Sequence, residues 1–199
     1  MSKIDILLFI LLLSILCTTC EDSVSPDEKV LNQIIPLEVG NEWTLRIQWY
    51  DSSGTLTNVH YDSFAIARDT IIQNERWFIW SNIARTIATN RQSGYYYRFG
   101  NSSYLVLKYP VRKGENYKYG EDPDIYLNVT VLSIDSVISV PAGDFSCIVY
   151  EWRNSYGPLS SIEFYAPNIG MVRYDRYSST SSGYVYMDSR FDLTEMEIK

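Results

Sequence analysis

"WTLRIQWYDSSGT", Trp43 to Thr55, decides the fold class. Trp43, Leu45, Ile47 and Trp49 alternate with Thr44, Arg46 and Gln48, the period of two that puts one face of a β-strand in a core. "DSSGT", Asp51 to Thr55, then turns the chain. Similar short runs follow to the C-terminus, bounded by Gly, Pro, Asn or Ser. They are His60–Ala67, Thr70–Ile72, the "RWFIWS" run from Arg76, Tyr95–Phe99 and Tyr104–Tyr109. Further on come Ile125–Ile134, Val137–Val140, Phe145–Trp152, Ile162–Tyr165, Met171–Tyr177 and Tyr184–Phe191. About ten strands at this spacing predict an all-β domain: one curved antiparallel meander sheet, a half-barrel or open barrel. Little or no helix is expected after the N-terminal segment. "KYPVRKGENYKYGEDPD", Lys108 to Asp124, reads as a long loop.

Two connections have a conformational reason. In "VPAGDF", Pro141 fixes φ at the second turn position and Gly143 follows, which suits a tight hairpin. In "YAPNIGMV", Asn168 tolerates a left-handed backbone and Gly170 supplies a second break.

The 199 residues carry 17 Tyr and 5 Trp at a net charge of −7. That length suits one β domain. The acidic balance argues against nucleic acid, which asks for a basic stripe, and against electrostatic adhesion to anionic lipid. Membrane attachment must therefore come from the N-terminus. There Lys3 precedes an apolar run from Ile6 to Leu16, long enough for an export signal and too short to span a bilayer. Thr18 and Thr19 lead into Cys20, an order that resembles the bacterial lipobox, with Cys17 where Leu is usual. Cys20 is accordingly the expected lipidation site, with a plain secretory signal as the alternative. Residues 1–19 then form the signal peptide, 20–33 a polar lipid-anchored tether containing Pro26, and 34–199 the β domain. With Cys20 acylated, Cys147 has no intramolecular disulfide partner. Its phase with Phe145 and Val149 predicts a buried, inert thiol.

"IIPLEVGNEWTL" (Ile34–Leu45), followed by "VPAGDFSCIVYEW" and "EFYAPNIGMVRY", resembles a group of β-rich bacterial lipoproteins of the Bacteroidetes type. A leading PL-x-VGN-x-W strand and a closing VPAG-x-F … YAP-x-x-G-x-V hairpin recur in that group. It is distantly similar to the LolA/LolB half-barrel superfamily. That resemblance implies a concave sheet face holding acyl chains beneath a helical lid, although no lid helix is visible here. Glu21 and Asp22 directly after Cys20 resemble the surface-export signals of such lipoproteins. This favours the outer membrane, on its periplasmic or cell-surface face.

Catalytic signatures are missing: no G-x-S-x-G, H-E-x-x-H or phosphate-binding glycine pattern occurs. One histidine, His60, makes a transition-metal site improbable, and the acidic "GEDPD" at Gly120–Asp124 lacks EF-hand spacing. No catalytic residue, metal or cofactor is assigned, and a non-enzymatic lipoprotein is the expectation. The aromatic surplus is the feature that could carry function. In "SGYYYRFG", Tyr95, Tyr97 and Phe99 share one strand face, with Tyr96 and Arg98 on the other. Trp77, Trp80 and Tyr104 lie near them in sequence. Exposed together, these six rings would wall an apolar ligand or stack on a glycan. The competing readings are that they fill the core, or that the domain docks to an envelope protein as a structural component.

Overall fold

A computed structural model describes residues 33–81, 86–120, 126–155 and 157–199. Cys20, the signal peptide, all but the end of the tether and most of "GEDPD" lie outside the described residues. Twelve strands form one antiparallel sheet: β1 (Glu42–Tyr50), β2 (Leu56–Ile72), β3 (Glu75–Trp80), β4 (Ile87–Arg91), β5 (Gly94–Phe99) and β6 (Ser102–Lys108), followed by β7 (Asn116–Tyr119), β8 (Leu127–Val140), β9 (Gly143–Asn154), β10 (Leu159–Ala166), β11 (Gly170–Ser179) and β12 (Val185–Glu197). There is no helix among the described residues.

The strand boundaries depart from the sequence reading for a physical reason. β2 and β8 each read as two strands in the sequence because bulges interrupt the alternation. Register shifts fall between Ile66 and Arg68 in β2, and between Val131 and Ser136 in β8. β4 shows no strand alternation in the sequence, and β7 falls inside the segment that reads as the long loop. Both are short and polar, and tertiary pairing makes them strands.

The strand order is β6-β5-β4-β3-β2-β1-β12-β11-β10-β9-β8-β7. The first and last strands therefore pair in the middle, and the two edges belong to strands consecutive in sequence. Curvature brings β6 and β7 face to face, nearly closing a barrel. Tyrosine hydroxyls stitch this seam. Tyr117 Oη donates to Val106 O (2.9 Å) and accepts from Lys108 N (3.3 Å), while Tyr150 Oη donates to Lys108 O (2.7 Å). Tyr117 thus offers the edge of β6 one acceptor and one donor, as a residue on a neighbouring strand would. An ion pair between Lys108 and Glu115 lies at the same seam.

The interior is apolar and aromatic, built from the inward phase of nearly every strand. One end is plugged by the segment before β1, whose Ile34, Ile35 and Leu37 are buried in the core. That plug is pinned by Asn90 Nδ2 to Ile35 O and by Asn168 N to Gln33 O. Here the two sequence motifs meet: Trp43 Nε1 donates to Ile169 O at 2.6 Å. Asn168 is left-handed at φ 63°, as the turn chemistry predicted. Gly170 adopts φ 98°, and a Cβ there would meet Trp43 Nε1 at 3.4 Å.

The tip of the β8–β9 hairpin curls over the outside of the sheet, with Ala142 N bonded to Leu193 O and Arg173 Nη2 to Ser139 O. Cys147 is buried in the small outer cluster with Ala166 and Val172. Burial pushes its thiol up to about 11, which leaves it protonated and unreactive near neutral pH.

Candidate functional site: an aromatic interior with one carboxylate

Trp80, Tyr95 and Tyr97 share the inner face of β3 and β5. With Ile35, Trp43, Leu45, Phe64, Tyr165 and Met171 they line a cavity of about 130 Å³. Trp80 Nε1 donates to Tyr95 Oη at 3.0 Å, and Trp43 and Trp80 pack with ring centroids 5.2 Å apart. Tyr97 is also common to a larger open groove of about 430 Å³ that includes Phe99, Tyr104, Tyr119, Thr86 and Gly120. Phe99 is 81% exposed at its rim. Five of the six candidate rings therefore line one of two spaces joined at Tyr97.

Trp77 stands apart on the opposite face of β3. It is 1% exposed because arginines roof it. Arg91 and Arg98 place their guanidinium carbons 5.4 and 5.6 Å from its ring centroid. Arg91 is itself held by Glu75 through two bonds of 2.7 and 2.8 Å. Trp77 is thus part of an outer stack and lines neither space.

The sequence reading missed Trp43 and Tyr165, both carried by its own motifs, and it missed Glu163. Two residues before Tyr165 on β10, Glu163 points into the barrel. Tyr165 Oη donates to one of its oxygens at 3.0 Å and Ser161 Oγ to the other at 3.1 Å. Although deep inside, Glu163 is only half-buried. Burial pushes its carboxyl up to about 7, against the two hydroxyl donors, which favour the ionised form. Tyr97 is pushed by burial up to about 12, and Tyr95, Tyr150 and Tyr165 are raised by the same cause. The signal that could have found Glu163 is its phase: the lone carboxylate of β10, on the face that carries Ser161 and Tyr165.

Other candidates do not come together. His60 is exposed and stacked on Trp49, whereas Cys147 is buried in the outer cluster. Among the described residues, no three His, Cys, Asp or Glu side chains are grouped closely enough to hold a metal ion.

No family model and no curated protein matches the chain. Two solved structures are similar to it at low identity. A Bacteroides fragilis protein assigned as exported, with a YmcC-like fold, has a TM-score of 0.51 at 14% identity, over 83% of this chain and 99% of that one. A Parabacteroides distasonis protein assigned as a lipoprotein gives a TM-score of 0.47 at 14% identity over the same shares. The fold is therefore one also found in a protein assigned as exported from a Bacteroides species.

Proposed function

We propose that this chain is a non-enzymatic lipoprotein of the outer membrane, tethered through Cys20, whose barrel holds a small ligand. The ligand's apolar end occupies the deep cavity, and its body lies along the groove past Tyr97. The observation that carries this reading is the continuity of the inward rings Trp80, Tyr95 and Tyr97 with Phe99 and Tyr104 at the rim. A dry cavity near 150 Å³ accepts a benzene-sized guest, so about 130 Å³ suits one ring or a short alkyl group. Acyl-chain carriage, which the half-barrel resemblance implies, needs far more room and a lid. An envelope-docking role through a sheet edge is disfavoured, because both edges face each other across the tyrosine seam. The exported assignment of the Bacteroides neighbour agrees with the anchor read from the lipobox.

Two measurements test the reading. Cys20→Ala should move the protein from the membrane pellet to the soluble periplasmic fraction, and a variant that still pellets contradicts the anchor. The chain from Glu21 onward keeps every described contact, so it serves for binding. Exported to a bacterial periplasm and weighed by native mass spectrometry, it should carry a small apolar or glycan adduct, and a clean apo mass counts against the ligand.

A further inference from the structure

The fold treats its buried carboxylates consistently, with one exception. Asp192, 2% exposed, lies between Arg46 and Arg173 at 3.0 and 2.7 Å. Asp175, 5% exposed, is gripped by Arg190 at 2.7 Å, and Asp188 by Arg176 at 2.8 Å. Glu163 has no such partner: among the described residues it joins no ion pair, and its two hydrogen bonds come from neutral hydroxyls.

The groups packed around it are tyrosines. Tyr150 lies beside it on β9 and Tyr174 on β11, each in direct register. From β5 and β7, Tyr97, Tyr117 and Tyr119 all feel its charge, as Tyr165 does from β10. Arg176, two residues beyond Tyr174, is committed to Asp188 and lies over Trp49. An unbalanced carboxylate at such depth is costly unless it is neutralised or meets a cation. Tyrosine faces attract cations, and the chain's net charge of −7 raises their local concentration.

We propose that the interior receives a small organic cation, an ammonium on an aromatic or short alkyl body, with its charge against Glu163 and its body in the aromatic cavity. This rests on the ligand-binding reading above. Tyr165 joins the two parts, since its ring lines the cavity and its hydroxyl bonds Glu163. An ionised Glu163 favours the cation by a charge-assisted hydrogen bond in a low-dielectric setting. A protonated Glu163 does not, so the selectivity weakens as pH falls through about 7.

The test uses benzylamine, benzyl alcohol and benzoate, three probes with one ring and different charge. Binding to the chain from Glu21 onward is read by tryptophan fluorescence, because Trp43 and Trp80 line the cavity. At pH 8 benzylamine should bind about tenfold tighter than benzyl alcohol, the equivalent of one charge-assisted bond, and benzoate weakest. The preference should shrink at pH 6 and vanish in Glu163→Gln. Equal affinities for amine and alcohol in the wild type overturn the cation inference and leave the cavity reading standing. Binding of none of the three overturns both. A preference that survives Glu163→Gln removes Glu163 from the site, and the wild-type pH profile decides the matter should that variant fold poorly.

Discussion

Trp77 and Trp80 lie three residues apart on β3 and have opposite fates. Trp77 faces outward and is sealed beneath Arg91 and Arg98, its Nε1 buried without a hydrogen-bond partner among the described residues. Trp80 faces inward, satisfies its Nε1 on Tyr95 and borders a cavity. Residue type is the same in both places, and only the pleat separates them. The outer ring is covered by side chains of its own protein and contributes stability. The inner one borders space that those side chains do not fill. Richness in aromatics therefore says little about binding until each ring has been assigned to a face.

That contrast can be broken most forcefully at Trp77. Truncation to Ala removes a fully buried indole and the surface on which two guanidinium groups rest, and should cost about 3–4 kcal/mol. Chemical denaturation should show the loss, while affinity for benzyl alcohol stays unchanged. A shift in affinity comparable to that of a Trp80 variant would erase the distinction between the faces.

Glu163→Gln should have an effect of similar size and opposite sign, dependent on pH. The folded carboxyl is raised to about 7 against an ordinary value of 4.5. The unfolded chain thus releases its proton first, and the wild type loses stability as pH rises from 4.5 to 7. The loss approaches about 3 kcal/mol, an upper bound for a side chain that keeps some exposure, and is constant above that window. The Gln variant should lack this slope in melts recorded from pH 4.5 to 8, and an identical slope would place the titration elsewhere.

Tyr150→Phe sharpens the comparison from the seam. It strips the hydroxyl from Lys108 O and should cost about 1–2 kcal/mol, with faster amide exchange along β6 than along β1, which is paired on both sides. Uniform exchange would mean that backbone contacts alone close the barrel. The smallest effect on stability belongs to Phe99→Ser, within about 0.5 kcal/mol because the ring is 81% exposed. Its consequence should appear in ligand affinity alone.

Much of the fold was legible from alternation. The inward phase of Trp43, Leu45 and Ile47 holds in the structure, as do the turns at Pro141 and Asn168. Alternation misled where a bulge resets it, so that Arg68 and Asp69 looked like the end of a strand that continues to Ile72. For the candidate site, the run Tyr95–Phe99 sorted correctly into faces by period two. Trp77 did not join Trp80, because an odd spacing along β3 places the two on opposite sides. Glu163 escaped notice because burial and the lack of a cation arise only when five strands bring their tyrosines around one point.

The indole N–H signals test the inside-outside distinction most directly. In a two-dimensional NMR titration of the chain from Glu21 onward with benzyl alcohol, the five tryptophans report from separate places. Trp43 and Trp80 should shift and saturate together, whereas Trp77 beneath its arginines and Trp49 beside His60 should stay still. Movement of Trp77, or saturation without movement of Trp80, would contradict a binding site inside the barrel.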